Sequence, residues 1–229
     1  MAVERVPSGI PGLDPFIGGG FEKGSLIVLE GGPGSGKTIF SIQFIYEGLK
    51  RGERCVYITF EERENEIIED AASIKIDLKE FIHRNLLLIK YFSPLETDVF
   101  LGNFEKLILE FNPQRVVIDS VSVLNDYAAD EFASRKLLHE IGKFVQRVKC
   151  TTIIVSELSG SLGEREYLPI RGIEEFVADT VIQLFYTGFG GEYDRSMRIL
   201  KMRRTNHYRD ILPLRLNEHG LAIGEVKEA

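Results

Sequence analysis

Six runs of the chain are almost continuously apolar: Ser25–Glu30 (SLIVLE), Arg54–Phe60 (RCVYITF), Leu86–Tyr91 (LLLIKY), Arg115–Asp119 (RVVID), Thr151–Ser156 (TTIIVS) and Asp179–Phe185 (DTVIQLF). Runs of this length without polar alternation fit strands covered on both faces. Between them, helical periodicity marks Lys37–Arg51, Arg63–Ala72, Asn103–Glu110 and Glu131–Val148. The third helix has a wide apolar face through Phe104, Leu107, Ile108 and Phe111, and the fourth through Leu137, Leu138, Ile141, Val145 and Val148. Strands alternating with helices predict an α/β fold, a mostly parallel sheet wrapped by helices. After Asp179 the pattern changes to closely spaced strands at Met197–Arg203, Leu212–Leu216 and Leu221–Ile223, preceded by a glycine-rich turn at Gly188–Asp194. That end reads as an antiparallel extension of the sheet.

Composition narrows this picture. With 229 residues and 44% hydrophobic side chains, residues 1–229 fit one large α/β domain. No apolar run reaches the length of a bilayer-spanning helix, and the opening MAVERVPSG lacks the apolar core of a secretory signal, so a cytoplasmic protein is expected. A net charge of −7 argues against a chain-wide attraction to nucleic acid or anionic membrane. Cys55 and Cys150 each sit in a strand-like run without metal-ligand spacing and read as buried thiols. His83, His139 and His219 have no clustered ligand partners and read as ordinary surface or helix-end residues.

The chemistry concentrates in GGPGSGKT, residues 31 to 38, which places Gly31, Gly36, Lys37 and Thr38 in the spacing of a phosphate-binding loop between an apolar strand and a helix. Phosphate oxygens need backbone N–H groups turned inward, which glycines allow, and a helix N-terminus adds favourable partial charge. The backbone of Gly32, Pro33, Gly34, Ser35, Gly36, Lys37, Thr38 and Ile39 is therefore expected to cradle ATP or ADP. Lys37 would neutralise the β- and γ-phosphates and the Thr38 hydroxyl would coordinate Mg²⁺.

Hydrolysis needs more than binding. Asp119 closes RVVID, so a parallel strand would deliver its carboxylate to the phosphate-loop edge, where it could organise Mg²⁺. Glu61 and Glu62 follow YITF at the end of another predicted strand. Since successive strand residues point to opposite faces, one of the two should face the γ-phosphate and activate water. Glu62 is preferred and Glu61 is the close alternative.

These stretches, together with RGIEEFVADTVIQL and ILKMRRTNH, resemble the KaiC-type ATPases of the RecA/RadA superfamily from about Ser8 to the C-terminus. The resemblance implies a RecA-like P-loop core that assembles as a homo-oligomeric ring, typically hexameric, with ATP between neighbouring subunits. It makes Asp119 the Walker B residue, one of Glu61 and Glu62 the catalytic glutamate, and Ser156 with Glu157 the strand-end pair that senses the γ-phosphate. It also implies that the segment of Lys201 and Arg203, with Thr205 and His207, approaches the neighbour's nucleotide. If the strand continues, those four positions fall on one face, and the cations could act in trans as arginine fingers do. Arg204 departs from the family, which commonly carries a small residue there.

Two roles fit such an ATPase: a regulatory or signalling ring that reports nucleotide occupancy to an unidentified protein partner, and a RadA paralogue that binds single-stranded DNA. The loops that would carry DNA, VLNDYAADEFASR and ELSGSLGEREYLPIRG, hold few cations, so DNA binding is expected to be weak. A nucleoside monophosphate kinase is disfavoured by the residues that precede the loop and by the paired glutamates. A structural switch with negligible turnover remains a non-enzymatic alternative.

Overall fold

In a computed structural model of the protein, the structure describes residues 3–93, 97–123, 131–157, 177–191 and 194–225, the side chains of 97–98 and 131–135 excepted. Its centre is a nine-stranded sheet. Six strands run parallel: β3 (Leu26–Gly31), β4 (Cys55–Thr59), β5 (Leu87–Tyr91), β6 (Arg115–Asp119), β7 (Thr151–Glu157) and β8 (Thr180–Tyr186). Three antiparallel strands extend it: β9 (Arg195–Met202), β10 (Leu212–Asn217) and β11 (Gly220–Ile223). The order across the sheet is β11-β10-β9-β8-β3-β7-β6-β4-β5, and a small antiparallel pair, β1 (Arg5–Val6) with β2 (Phe21–Glu22), lies outside it. The helices are α1 (Lys37–Lys50), α2 (Glu64–Ser73), α3 (Lys79–His83), α4 (Thr97–Phe111) and α5 (Glu131–Val148).

Alternation along the strands builds a core on each face. Ile27, Leu29, Tyr57, Val117, Ile153 and Val155 pack with Phe40, Phe44 and Ile45 of α1, while Leu26, Val56, Ile58, Val116, Ile118 and Ile154 pack with Phe104 and Ile108 of α4 and Ile141, Phe144 and Val145 of α5. Cys55 and Cys150 are buried, as their setting predicted, and burial pushes the Cys55 thiol far up and that of Cys150 up to about 12. Among the described residues no helix is long and apolar enough to cross a membrane.

The pattern in the sequence misjudged some boundaries. Helix α4 begins at Thr97, six residues before the predicted Asn103, because Phe100 adds a turn of aromatic packing onto Phe60, Phe92 and Phe104. Strand β9 begins at Arg195 and stops at Met202, with Arg203 and Arg204 in a turn where Arg204 takes φ 55°. The strand does not continue through 207, so the single-face argument for Lys201, Arg203, Thr205 and His207 does not apply.

One buried charge fastens the outer segment to the core. Arg115, fully buried at the start of β6, pairs with Glu53 at 2.6 Å, donates to the carbonyls of Pro7 (2.8 Å) and Phe44 (3.0 Å), and stacks on the Phe44 ring at 4.7 Å. These partners replace the water of Nε and Nη1, while Nη2 is buried without a hydrogen-bond partner.

Candidate active site

The C-terminal edge of the parallel strands holds a cleft of 420 Å³. Its floor is the loop between β3 and α1. Gly31 cannot carry a side chain, since a Cβ would lie 2.4 Å from Ser35 Oγ and 2.9 Å from the Leu184 carbonyl. Gly34 and Gly36 take φ 72° and 102°, left-handed conformations that turn the chain back into α1. Gly36 caps that helix without a side-chain bond, so the first amides of α1 open onto the cleft. Pro33, Gly34, Gly36, Lys37, Thr38 and Ile39 line it. Gly32 and Ser35 contribute differently: the Gly32 carbonyl accepts from Lys37 Nζ at 3.1 Å, and Ser35 is buried beneath Gly31. Lys37 Nζ also donates to the Gly31 carbonyl at 2.9 Å and lies 3.8 Å from Glu157 Oε1.

Facing the loop is a group of carboxylates. Asp119, at the end of β6, accepts a 2.6 Å hydrogen bond from the buried Tyr57 hydroxyl. Burial pushes its carboxyl up to about 6, helped by Glu61 and Glu157 and opposed by the Tyr57 bond and Lys37. The glutamates are set by Thr59, whose hydroxyl accepts the N–H groups of Glu61 (3.3 Å) and Glu62 (3.0 Å) and donates to the Glu62 carbonyl (3.0 Å). Because β4 ends at Thr59 and the chain bends around this hydroxyl, strand alternation does not reach them, and both line the cleft. The expectation that one would face away is corrected accordingly. Glu61 Oε1 accepts from Ser120 Oγ at 2.8 Å. Glu62 has a buried carboxylate oxygen with no hydrogen-bond partner, and its carboxyl is pushed up to about 7, by burial first and then by Asp70, Asp119, Glu61 and Glu66.

At the end of β7 the strand runs one residue further than predicted. Glu157 lines the cleft, its N–H held by Ser122 Oγ at 2.7 Å, while Ser156 is buried within the sheet. Arg195, which the sequence reading missed, also lines the cleft. Its guanidinium stacks on Tyr186 at 4.1 Å, its Nε donates to the Gly34 carbonyl at 3.3 Å, and its Nη1 lies 3.3 Å from Asp194 Oδ1. The signal was weak: only an accurate start for β9 would have paired Arg195 with Tyr186 across the hairpin.

Lys201, Arg203, Thr205 and His207 are not brought to this cleft. Strand β9 is antiparallel to β8, pairing Arg195 with Tyr186 at the loop edge and Lys201 with Val181 towards the other, about 20 Å away at ordinary strand rise. There Lys201 Nζ donates to the Ala178 carbonyl (2.7 Å), and Arg203 Nη1 lies 3.6 Å from Asp179 Oδ1. Thr205 Oγ1 accepts from Arg5 (2.7 Å), and His207 Nδ1 is 2.8 Å from the Tyr208 carbonyl. Among the described residues no three His, Cys, Asp or Glu converge into a metal site of their own. Of the two stretches considered for DNA, residues 123–135 and 157–172, positions 124–130 and 158–172 lie outside the described residues.

Comparison with known proteins agrees with this geometry. A family described as "ATPase: KaiC" matches residues 6–228. A UPF0273 protein of Pyrococcus horikoshii is 32% identical over 96% of this chain and 93% of its own. The circadian clock oscillator protein KaiC of Synechococcus elongatus is 34% identical over 97% of this chain, which spans 44% of that relative. The crystal structure of a KaiC-like protein from Pyrococcus horikoshii superposes with a TM-score of 0.84 at 34% identity, covering 98% of this chain and all of that one. A RecA-like sheet with a glycine loop facing clustered carboxylates, matched over nearly its full length, establishes that the chain belongs to the KaiC ATPase family.

Proposed function

We propose that the chain is a Mg²⁺-dependent ATPase, one domain over residues 1–229, that works as a homo-oligomeric ring with ATP between adjacent copies. The observation that carries the hydrolytic reading is Glu62, a carboxylate with an unpartnered buried oxygen beside Asp119 and across from the phosphate loop.

The amides of Gly34 to Ile39 hold the phosphates and Lys37 neutralises their β- and γ-oxygens. Thr38 Oγ1 and Asp119 would hold Mg²⁺, and the donor set fits, because one hydroxyl and one carboxylate leave the remaining positions to phosphate oxygens and water. Burial raises the Asp119 carboxyl, with Glu61 and Glu157 adding to it, and a divalent cation would offset both. When bound, Mg²⁺ neutralises charge that develops on the transferring phosphoryl group. Glu62 takes a proton from the attacking water as its oxygen bonds to the γ-phosphorus and the bond to the β–γ bridging oxygen breaks, leaving ADP and phosphate. Glu61, fixed by Ser120, orients that water. Glu157, with its neighbour Ser156 in the sheet, responds to the γ-phosphate through Lys37. Arg195 steadies the loop by gripping Gly34.

Lys201 and Arg203, on the opposite edge, serve the nucleotide of the next copy, with Thr205 and His207 shaping that contact. The ring reports its occupancy to a protein partner. The test is Mg²⁺-dependent ATP hydrolysis by the purified chain, with and without single-stranded DNA, alongside light scattering with and without ATP. Turnover that Lys37→Ala abolishes and DNA leaves unchanged, with ATP-promoted assembly, supports the reading. Absent turnover leaves a structural switch, and DNA-stimulated turnover that weakens with salt transfers the chain to recombination.

A further inference from the structure

Asp179 lies just before β8 with its side chain 5% exposed. One of its oxygens is committed to the fold: Oδ2 accepts from Leu26 N–H at 3.1 Å and from Gln146 Nε2 at 3.2 Å. The other faces two guanidinium groups, with Oδ1 at 3.6 Å from Arg203 Nη1 and 3.3 Å from Arg204 Nη2. Among the described residues these two arginines are the cations within 4 Å of Asp179.

The two contacts are unequal. Arg204 is held from a second side by Glu22, its Nε 2.8 Å and 3.1 Å from the two carboxylate oxygens. It takes this position at φ 55°, a left-handed conformation in which a long side chain is uncommon and glycine is at ease. Arg203 makes the longer contact, on the turn just beyond β9.

A buried carboxylate stripped of its cation is costly, whereas one good cation balances it. We infer that Arg204 is the resident counter-ion of Asp179, and that its presence lets Arg203 exchange Asp179 for the phosphates of ATP bound to a neighbouring copy. The inference rests on the proposed action of Arg203 in trans. Without Arg204, leaving Asp179 would bare a buried charge, so Arg203 would be retained there. Arg204 is thus a positioning residue that acts through Asp179 and touches no nucleotide.

The test is a cycle of full-length variants read as turnover at saturating Mg²⁺-ATP, with the KM for ATP and assembly followed in parallel. Arg204→Gly removes the cation while relieving the backbone, and Arg204→Gln removes it at unchanged backbone preference and similar length. Each is expected to lower kcat about tenfold with KM nearly unchanged, the size of one lost charged contact in the transition state. Arg204→Lys should recover most of the loss. Adding Asp179→Asn, which keeps an acceptor for Leu26 N–H but removes the charge, should restore kcat to the Arg204 variants. In an Arg203→Ala background, neither Arg204 variant should lower kcat further. The inference is overturned if Arg204→Gly and Arg204→Gln leave kcat intact, if their loss survives Asp179→Asn, or if it adds fully to that of Arg203→Ala. If Arg203→Ala itself has no effect on kcat in assembled protein, the trans reading fails, and the counter-ion inference fails with it by a distinguishable result.

Discussion

The two edges of the central sheet both bury charge, and they treat it in opposite ways. At the start of the strands, Arg115 has Glu53, two carbonyls and an aromatic face, and Asp179 has two N–H donors and two arginines. At the end of the strands, Asp119, Glu61, Glu62 and Glu157 line one cleft with Lys37, and burial, with mutual repulsion added, pushes the carboxyls of Asp119 and Glu62 up to about 6 and about 7. The first edge sets each charge against an opposite one and holds the chain together, with Arg115 Nη2 left as a buried nitrogen without a hydrogen-bond partner. The second leaves negative charge in excess, which a folded protein tolerates where a ligand is meant to complete the balance. Strand β9 spans the two, with Arg195 at the loop and Lys201 towards the paired edge.

The largest effect should come from the crowded edge. Glu62→Gln is expected to retain Mg²⁺-ATP binding and lose turnover by roughly 10³-fold, within the range of a removed general base. Filter binding and phosphate release measure the two separately, and turnover reduced by less than threefold would move the catalytic role to Glu61. Next comes the paired edge, where Arg115→Ala empties a buried site and leaves the partly buried Glu53 and two carbonyls without their donor. It should lower unfolding free energy by about 3–5 kcal/mol in denaturant titration. A loss below about 1 kcal/mol would mean that this edge gains nothing from its pairing. Arg195→Ala lies between the two edges in kind, since it loosens the phosphate loop without touching the carboxylates. The KM for ATP should rise about three- to tenfold with kcat little changed, and Arg195→Lys should recover little because an ammonium cannot both stack on Tyr186 and reach Gly34.

Much of the crowded edge was legible in the sequence because its signals are local. Glycines at 31, 34 and 36 announce a loop wherever they stand between a strand and a helix, and Asp119 is at a strand end by its own run of apolar neighbours. What failed depended on one to a few residues of strand length. Ending β7 at Ser156 does not separate the members of the strand-end pair, of which Glu157 lines the cleft and Ser156 is buried in the sheet. Starting β9 at Met197 hides Arg195, and extending it past Met202 lines up four residues that the turn at Arg203 and Arg204 separates. The paired edge was hardly legible, since Arg115 meets Glu53 and Asp179 meets Arg204 only after distant segments pack. Periodicity reports which face a residue takes and says little about the partner it meets there.

The smallest effect tests the comparison most directly, through the stability of the nucleotide-free protein. The Glu62 carboxyl ordinarily titrates near 4.5 and is pushed up to about 7 in the fold. A raised carboxyl contributes stability that is full below the unfolded value and is lost as pH rises through the folded one. Above pH 7 the ionised side chain therefore works against the fold. Replacing it with neutral Gln should change little at pH 5 and stabilise the protein at pH 8, by about 1 kcal/mol once solvent screening of this half-buried group is allowed for. In a chain of this size that is about 2–4 °C in Tm. Saturating Mg²⁺-ATP should raise the Tm of both proteins at pH 8 by mass action. If Glu62→Gln melts at or below the native temperature at pH 8, the carboxylates at this edge are not in excess, and the contrast between the two edges disappears.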